Sequence, residues 1–352
     1  MSEEQGRLPT ATTLREGYAA APRRTRAKWG LLAGGVVLAL LFPYFPVSGF
    51  YVFLAAQIYV FMIAAVAYNV LLGYTGLLSF GHAAFFGGSA YAVAMSIHYL
   101  GIGEFFLLLP IGLAAALIIA FVIGYISVRH TEIYYALLML ALAHLLYVVN
   151  LNQYRVTGGS EGMAVPAPTI AGIDYASRLG YTVFLEGILY YLIVFLLLAS
   201  AGLMWMMMHS PLGLTLKTIR DSPERAAALG IPVRRYRLHA TIVSGVFTGM
   251  AGALYAFLNG HITPDGTLHW FRSGELVFMA LLGGPASFFG PALGAAGYIG
   301  IRNLALTVVP GYWHFVMGGI ILAVVMFMPT GIAGGLERVW ERFVQDRGGD
   351  EP

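Results

Sequence analysis

Pro211-Leu-Gly-Leu-Thr-Leu-Lys-Thr-Ile-Arg-Asp-Ser-Pro-Glu-Arg-Ala-Ala-Ala-Leu-Gly-Ile-Pro-Val-Arg-Arg-Tyr-Arg237 is a polar island between two long apolar stretches, and it holds six of the chain's 20 basic residues. A short helix with marked ends is written into it. Ser222 or Asp221 can cap, Pro223 suits the first helical position, and Ala226, Ala227, Ala228 and Leu229 favour the helix body. Gly230 suits the left-handed C-terminal position, and Ile231-Pro232 stops the helix. Two turns are too few to hold in water alone, so this helix needs a support: the rest of the chain, a partner, or both.

Outward from the island the chain is apolar. Hydrophobic residues make up 59% of 352 and charged residues 11%, against about 45–50% and about 25% in soluble proteins. That excludes a soluble globular protein and indicates an all-α, polytopic membrane protein. A net charge of +3 is too small to suggest nucleic acid, and the absence of cysteine rules out disulfides and thiolate chemistry.

At about 20 apolar residues per crossing, ten segments are expected: 29–45, 51–72, 82–100, 104–128, 133–151, 183–208, 238–258, 274–289, 291–309 and 312–330. Residues 1–28 form a tail and 337–352 a second one, flanking a transmembrane domain at 29–336. The first segment is a retained helix, because a long tail of mixed charge, with Glu3, Glu4 and Glu16, precedes it and no small-residue cleavage site follows. With the amino terminus inside, 16 Lys or Arg fall on the cytoplasmic side and three, Arg155, Arg178 and Arg272, outside. The positive-inside rule therefore puts both termini and the island in the cytoplasm, with ten crossings, or eight if glycine-rich segments re-enter.

Two stretches look like broken helices: Gly73-Tyr-Thr-Gly-Leu-Leu-Ser-Phe-Gly-His82 and Gly283-Gly-Pro-Ala-Ser-Phe-Phe-Gly-Pro291. Their shared Ser-Phe and glycine pattern hints at matching places in two inverted halves flanking a pathway. Close helix packing explains the same glycines. The polar groups at the first break, Asn69, Tyr74, Thr75, Ser79 and His82, are pathway candidates, or helix-to-helix hydrogen bonds. The outer loop 152–182, with Gly158, Gly159, Ser160 and Glu161, is compact and either receives a binding protein or merely caps helix ends.

Most chemistry is missing. There is no phosphate loop, nucleophile elbow or His-Glu-x-x-His pair, so the chain neither hydrolyses ATP nor acts as an enzyme. His261, Asp265 and His269 have metal-like spacing only on a helix, and Pro264 with Gly266 argues for a loop. Arg302 alone lies well inside an apolar segment, as a snorkelling or a partner-interface residue, and Glu104, Glu186 and Glu275 sit near segment ends. Lacking an ATP site and an evident ion relay, the chain should take its energy from another subunit. An ion-coupled secondary transporter is the competing class.

Asn69-Val-Leu-Leu-Gly-Tyr-Thr-Gly-Leu-Leu-Ser-Phe-Gly-His-Ala-Ala-Phe-Phe-Gly87 with Ala90-Tyr91 resembles the permease subunits of branched-chain amino-acid ABC importers, of the LivM type. Thr157-Gly-Gly-Ser-Glu-Gly162, the island with Ala226-Ala227-x-Leu229-Gly230-Ile231, Gly249-Met-Ala-Gly-Ala-Leu-Tyr255, Gly283-Gly284 with Gly290-Pro291, and Pro329-Thr-Gly331 match further blocks in order. The amino-terminal tail is longer than that family's, and Glu161 stands where Asp is commoner. Urea, amide and aromatic-acid permeases of the same family are the alternative.

The resemblance implies a pathway formed with a second, homologous permease in a bacterial or archaeal cytoplasmic membrane. It implies two ATPase subunits that use ATP and Mg, none of it bound by this chain, and a periplasmic or lipid-anchored binding protein that brings the ligand. It sets the ATPase contact on the coupling loop 209–237, at Gly213, Arg220, Asp221, Glu224, Ala226, Ala227, Leu229, Gly230 and Ile231. Arginines around that loop also suit anionic lipid headgroups.

Overall fold

A computed structural model describes residues 34–45, 48–130, 132–328 and 330–335; both tails lie outside these, as does the start of the first expected segment. The chain forms two units, 1–48 and 49–352. In the first, the described residues form an apolar helix, α1 (Gly34–Tyr44), which ends in a tight turn at Pro43.

The described part of the second unit is mostly helical: α2 (Gly49–Thr75), α3 (His82–Leu100), α4 (Phe105–Ser127) and α5 (Glu132–Asn152) come first. They are followed by α6 (Tyr181–Met208), α7 (Pro211–Asp221), α8 (Pro223–Ala228), α9 (Val233–Asn259), α10 (Trp270–Gly283), α11 (Gly290–Val308) and α12 (Trp313–Phe327). Among the described residues five helices are long and apolar enough to cross a membrane: α2, α4, α5, α6 and α9. Each of the ten expected segments overlaps a helix, the first over its described residues. α10, however, has 14 residues, about 21 Å, which is short of the ~30 Å hydrocarbon core.

α2 and α9 are the central pair and run antiparallel: Phe61 meets the ring of Tyr255, and the Ser244 hydroxyl donates to the Ala67 carbonyl at 2.6 Å. α4 lies along α9 with small residues facing each other down both helices. Gly112, Ala116, Ala120 and Gly124 oppose Ala253, Gly249, Gly245 and Thr241. Four-residue spacing puts each set on one helix face, and the missing side chains let the backbones close. A Cβ at Gly252 would strike the main chain of Phe86.

The packing repeats with reversed direction. α4 lies on α9 as α11 lies on α2, and the α3–α4 hairpin has its counterpart in α10–α11. So α2–α5 matches α9–α12, and the break after α2 corresponds to the link 260–269 on the opposite face. This corrects the pairing of the two glycine breaks expected from sequence. Breaks 76–81 and 284–289 lie side by side on one face: the Asn69 amide donates to the Ser287 carbonyl at 3.1 Å, and a Cβ at Gly73 would sit 2.5 Å from the Pro285 carbonyl. Both join a helix running toward the island to one running away from it. Their likeness reflects a common demand for close backbone approach, not inverted equivalence.

On the face away from the island, the 152–182 loop is stitched down. Met163–Ala164 (β1) pairs antiparallel with His261–Ile262 (β2), and Phe105 N–H donates to the Thr169 carbonyl at 2.8 Å. Glu104 accepts from the amides of Gly172 (2.9 Å) and Ala171 (2.7 Å) and from the Thr169 hydroxyl (3.0 Å). A one-turn helix, Pro264–Thr267, stands where a loop is expected; Thr263 caps it by accepting from Gly266 N–H at 3.1 Å.

Candidate functional site

The island folds into two helices that rest on the end of α2. Ser210 caps α7 and Pro211 opens it. Gly213, Leu216 and Ile219 recur every third residue, so they share the buried face. Gly213 is obligatory, because a Cβ there would overlap the main chain of Met208. Arg220 fastens α7 to the bundle: its Nη1 donates to the Gly73 carbonyl at 2.7 Å, one of the carbonyls that the end of α2 leaves without an intrahelical donor. The ammonium of Lys217 lies 5.1 Å above the Tyr74 ring. Two cations at a helix C-terminus also complement its dipole. Asp221 pairs with Arg220 at 3.1 Å on the exposed side.

α8 is closed at both ends by its own sequence. Ser222 is the cap residue, accepting from Arg225 N–H at 3.4 Å. Gly230 takes φ +82°, its N–H donates to the Ala227 carbonyl at 2.9 Å, and Ile231 N–H donates to the Ala226 carbonyl at 3.1 Å. That pair of bonds is a Schellman closure. Ala226 is buried and anchors the knob, so it is not part of the surface on offer. Glu224, Ala227, Ala228 and Leu229 face outward, with Leu229 78% exposed at the tip and open space around Gly230.

The five polar residues at the first break converge in the interior. His82 is fully buried, its Nε2 2.8 Å from the Ser244 hydroxyl and its Nδ1 3.0 Å from that of Ser79. Because Ser244 spends its proton on the Ala67 carbonyl, His82 donates from Nε2, and with Ser79 at Nδ1 both ring nitrogens have partners. Thr75 donates to the Leu71 carbonyl at 2.6 Å. Asn69 bridges to the second break, and Tyr74 lies under Lys217. Of the five, only Ser79 and His82 bond to each other.

Open space lies elsewhere, in a groove of about 430 Å³ lined by Leu137, Leu140, Ala141, His144 and Trp270, and in a second of about 320 Å³ at His314, Phe315, Gly318 and Gly319. In the outer loop, Gly158, Gly159 and Gly162 all have positive φ. Ser160 and Glu161 are exposed, and the Glu161 carbonyl accepts from His261 Nε2 at 2.8 Å.

Sequence reasoning missed a buried ionic cluster. Arg272, counted as an outer-side charge, lies in the first turn of α10, 8% exposed. Its guanidinium is 5.2, 5.8 and 5.3 Å from the ring centroids of Phe61, Phe86 and Tyr255. It is bound to Glu275 at 2.5 Å and to the Gly266 carbonyl. Glu275, expected near a segment end, is 2% exposed. The i,i+3 spacing Arg272–Glu275 was the available signal. No cluster of three His, Asp or Glu able to hold a metal occurs among the described residues.

A family model described as "Branched-chain amino acid transport system / permease component" matches residues 50–325, which span α2 to α12. The chain belongs to this permease family. It is 29% identical over 313 residues to the high-affinity branched-chain amino acid transport permease LivM of Escherichia coli K12, covering 84% of this chain and 73% of that one. It is 24% identical over 289 residues to LivH of the same organism, covering 78% and 91%. The guanosine ABC transporter permease NupQ of Bacillus subtilis is 31% identical over 175 residues, covering 48% and 51%. No solved structure matches this chain. Within the permease, the matched region thus includes the α7–α8 knob, both breaks and the ionic cluster.

Proposed function

We propose that this permease is a subunit of an ABC importer for branched-chain or closely related amino acids. It forms the pathway with a second, homologous permease in the cytoplasmic membrane and receives its ligand from a soluble or lipid-anchored binding protein. ATPase subunits dock on the α7–α8 knob, which on this reading faces the cytoplasm, as the basic-residue distribution favours. The observation that carries the proposal is the knob itself: a helix closed at both ends, anchored through Ala226 and Arg220, and presenting Ala227, Ala228 and a 78%-exposed Leu229. An exposed leucine on an otherwise charged loop fits an apolar socket in a partner.

Reconstituted with its partner permease, ATPases and binding protein, the complex should couple leucine, isoleucine or valine uptake to ATP hydrolysis. Ala227→Asp and Leu229→Glu should leave the permease folded and reduce transport-coupled hydrolysis at least tenfold. Full coupling in both variants refutes the docking surface. Uptake of urea or guanosine in place of these amino acids refutes the ligand class while leaving the subunit role intact.

A further inference from the structure

Two guanidinium groups share one carboxylate inside the apolar body of this chain. Glu275 binds Arg272 through Oε2 at 2.5 Å, while its Oε1 accepts from the Tyr298 hydroxyl at 3.3 Å and lies 3.5 Å from Arg302 Nη1. Arg272 is fully served by Glu275, the Gly266 carbonyl and three aromatic rings. Arg302 is not. Its distance to Glu275 exceeds a hydrogen bond, its Nε is buried with no hydrogen-bond partner among the described residues, and its other neighbour is the Trp313 ring, 5.6 Å away. Among the described residues, one positive charge of the cluster is left over.

An unneutralised guanidinium within a membrane helix is costly and is normally paired. Snorkelling does not relieve this one. The side chain turns inward to Glu275 rather than along α11 toward its end at Val308, about 9 Å farther on. The remaining 27% of the Arg302 side chain is exposed, on the face where α11 meets α12. The groove at His314, Phe315, Gly318 and Gly319 begins at the residue after Trp313, and added Cβ atoms at Gly300, Gly318 and Gly319 would meet nothing among the described residues. A second helix can approach such a face closely, as membrane helices do over small residues.

We propose that a carboxylate on a membrane helix of the second permease subunit completes this cluster by pairing with Arg302, making the α11–α12 face part of the permease–permease interface. The inference rests on the pairing of two permeases proposed above. A carboxylate fits better than a lipid phosphate because the exposed part of the guanidinium lies at the depth of Glu275, inside the segment 291–309 rather than at its ends. It also fits the charge: one more acid makes the cluster neutral.

The test uses the full complex in detergent, with the second permease captured through a tag on this chain. Arg302→Gln leaves the neutral Arg272–Glu275 pair in place, so this chain should keep its melting temperature when purified alone. It should capture the partner at least tenfold less, with recovery in Arg302→Lys. Arg302→Glu should be rescued by changing one acidic residue in an apolar segment of the partner to Arg. The chain contains no cysteine, so a cysteine introduced at Gly318 should cross-link to the partner permease alone, and this arm stands even if the Arg302 variants misfold. Undiminished capture by Arg302→Gln, or no cross-link from Gly318→Cys, overturns the inference. Reduced uptake affinity with intact capture also overturns it, since the anion would then be the ligand's. If the unaltered chain captures no second permease, it is the proposed function that fails.

Discussion

Single residues are held by bonds that are visible only once the neighbours are in place. Glu104, just before α4 and outside the apolar span, illustrates a testable one. Amide donation from Gly172, followed by Ala171 and the Thr169 hydroxyl, holds its carboxyl below the ordinary value. A depressed carboxylate contributes its stabilisation above the unfolded-state pKa and loses it as pH falls through the folded one. The loop 169–172 should therefore loosen on acidification through the carboxylate range. Amide exchange at Ala171 and Gly172 should accelerate at low pH, and Glu104→Ala should show the same fast exchange at neutral pH with no further response to acid. His82 carries a different lesson. From sequence it is a pathway candidate or a helix-to-helix hydrogen bond; in the fold both ring nitrogens are occupied, by Ser244 and Ser79.

Helices here are placed by their small residues. Gly245, Gly249 and Gly252 on α9 face Ala120, Ala116 and the Phe86 main chain, whereas Gly300 on α11 faces open space. Both lie in helix interiors, where alanine is preferred over glycine by about 1 kcal/mol. Gly300→Ala should thus be neutral or raise the melting temperature in detergent. Gly252→Ala should lower it, because overpacking against backbone costs about 1–3 kcal/mol and exceeds the propensity gain. Equal shifts in the two variants would refute the close-packed seam. The helix existence and order were legible in the sequence, since apolar runs and breakers set them. The equivalence of α2–α5 with α9–α12 was not, because it is a relation of packing partners, and glycine blocks of similar composition serve any close approach.

For the molecule as a whole, Arg220 is the tie between the knob and the helix bundle. It links α7 to Gly73, beside the point where the two breaks touch. Arg220→Met should leave ATPase binding to the α8 surface intact yet lower transport-coupled ATP hydrolysis several-fold, as measured in proteoliposomes. Loss of ATPase binding instead would mean that Arg220 belongs to the contact surface rather than to the anchor. The candidate residues 209–237 thus divide into an anchoring set, Gly213, Arg220 and Ala226, and an exposed set, Glu224, Ala227 and Leu229. Burial separates Gly213 and Ala226 from the exposed set, while Arg220, itself partly exposed, is separated by its bond to the Gly73 carbonyl.

The sequence by itself determined the class, the run of helices and the closed ends of α8, because hydrophobic spacing, Ser222, Pro223 and Gly230 act through neighbours a few residues away. It also carried enough block similarity to identify the permease family. Only the tertiary structure decided that Arg272, Glu275 and Arg302 form one cluster, that Asn69 joins the two breaks, and that Ala226 faces inward. Those facts depend on which helix faces which across tens to hundreds of residues of chain. Such pairings are set by the fit of whole surfaces, which local spacing does not encode.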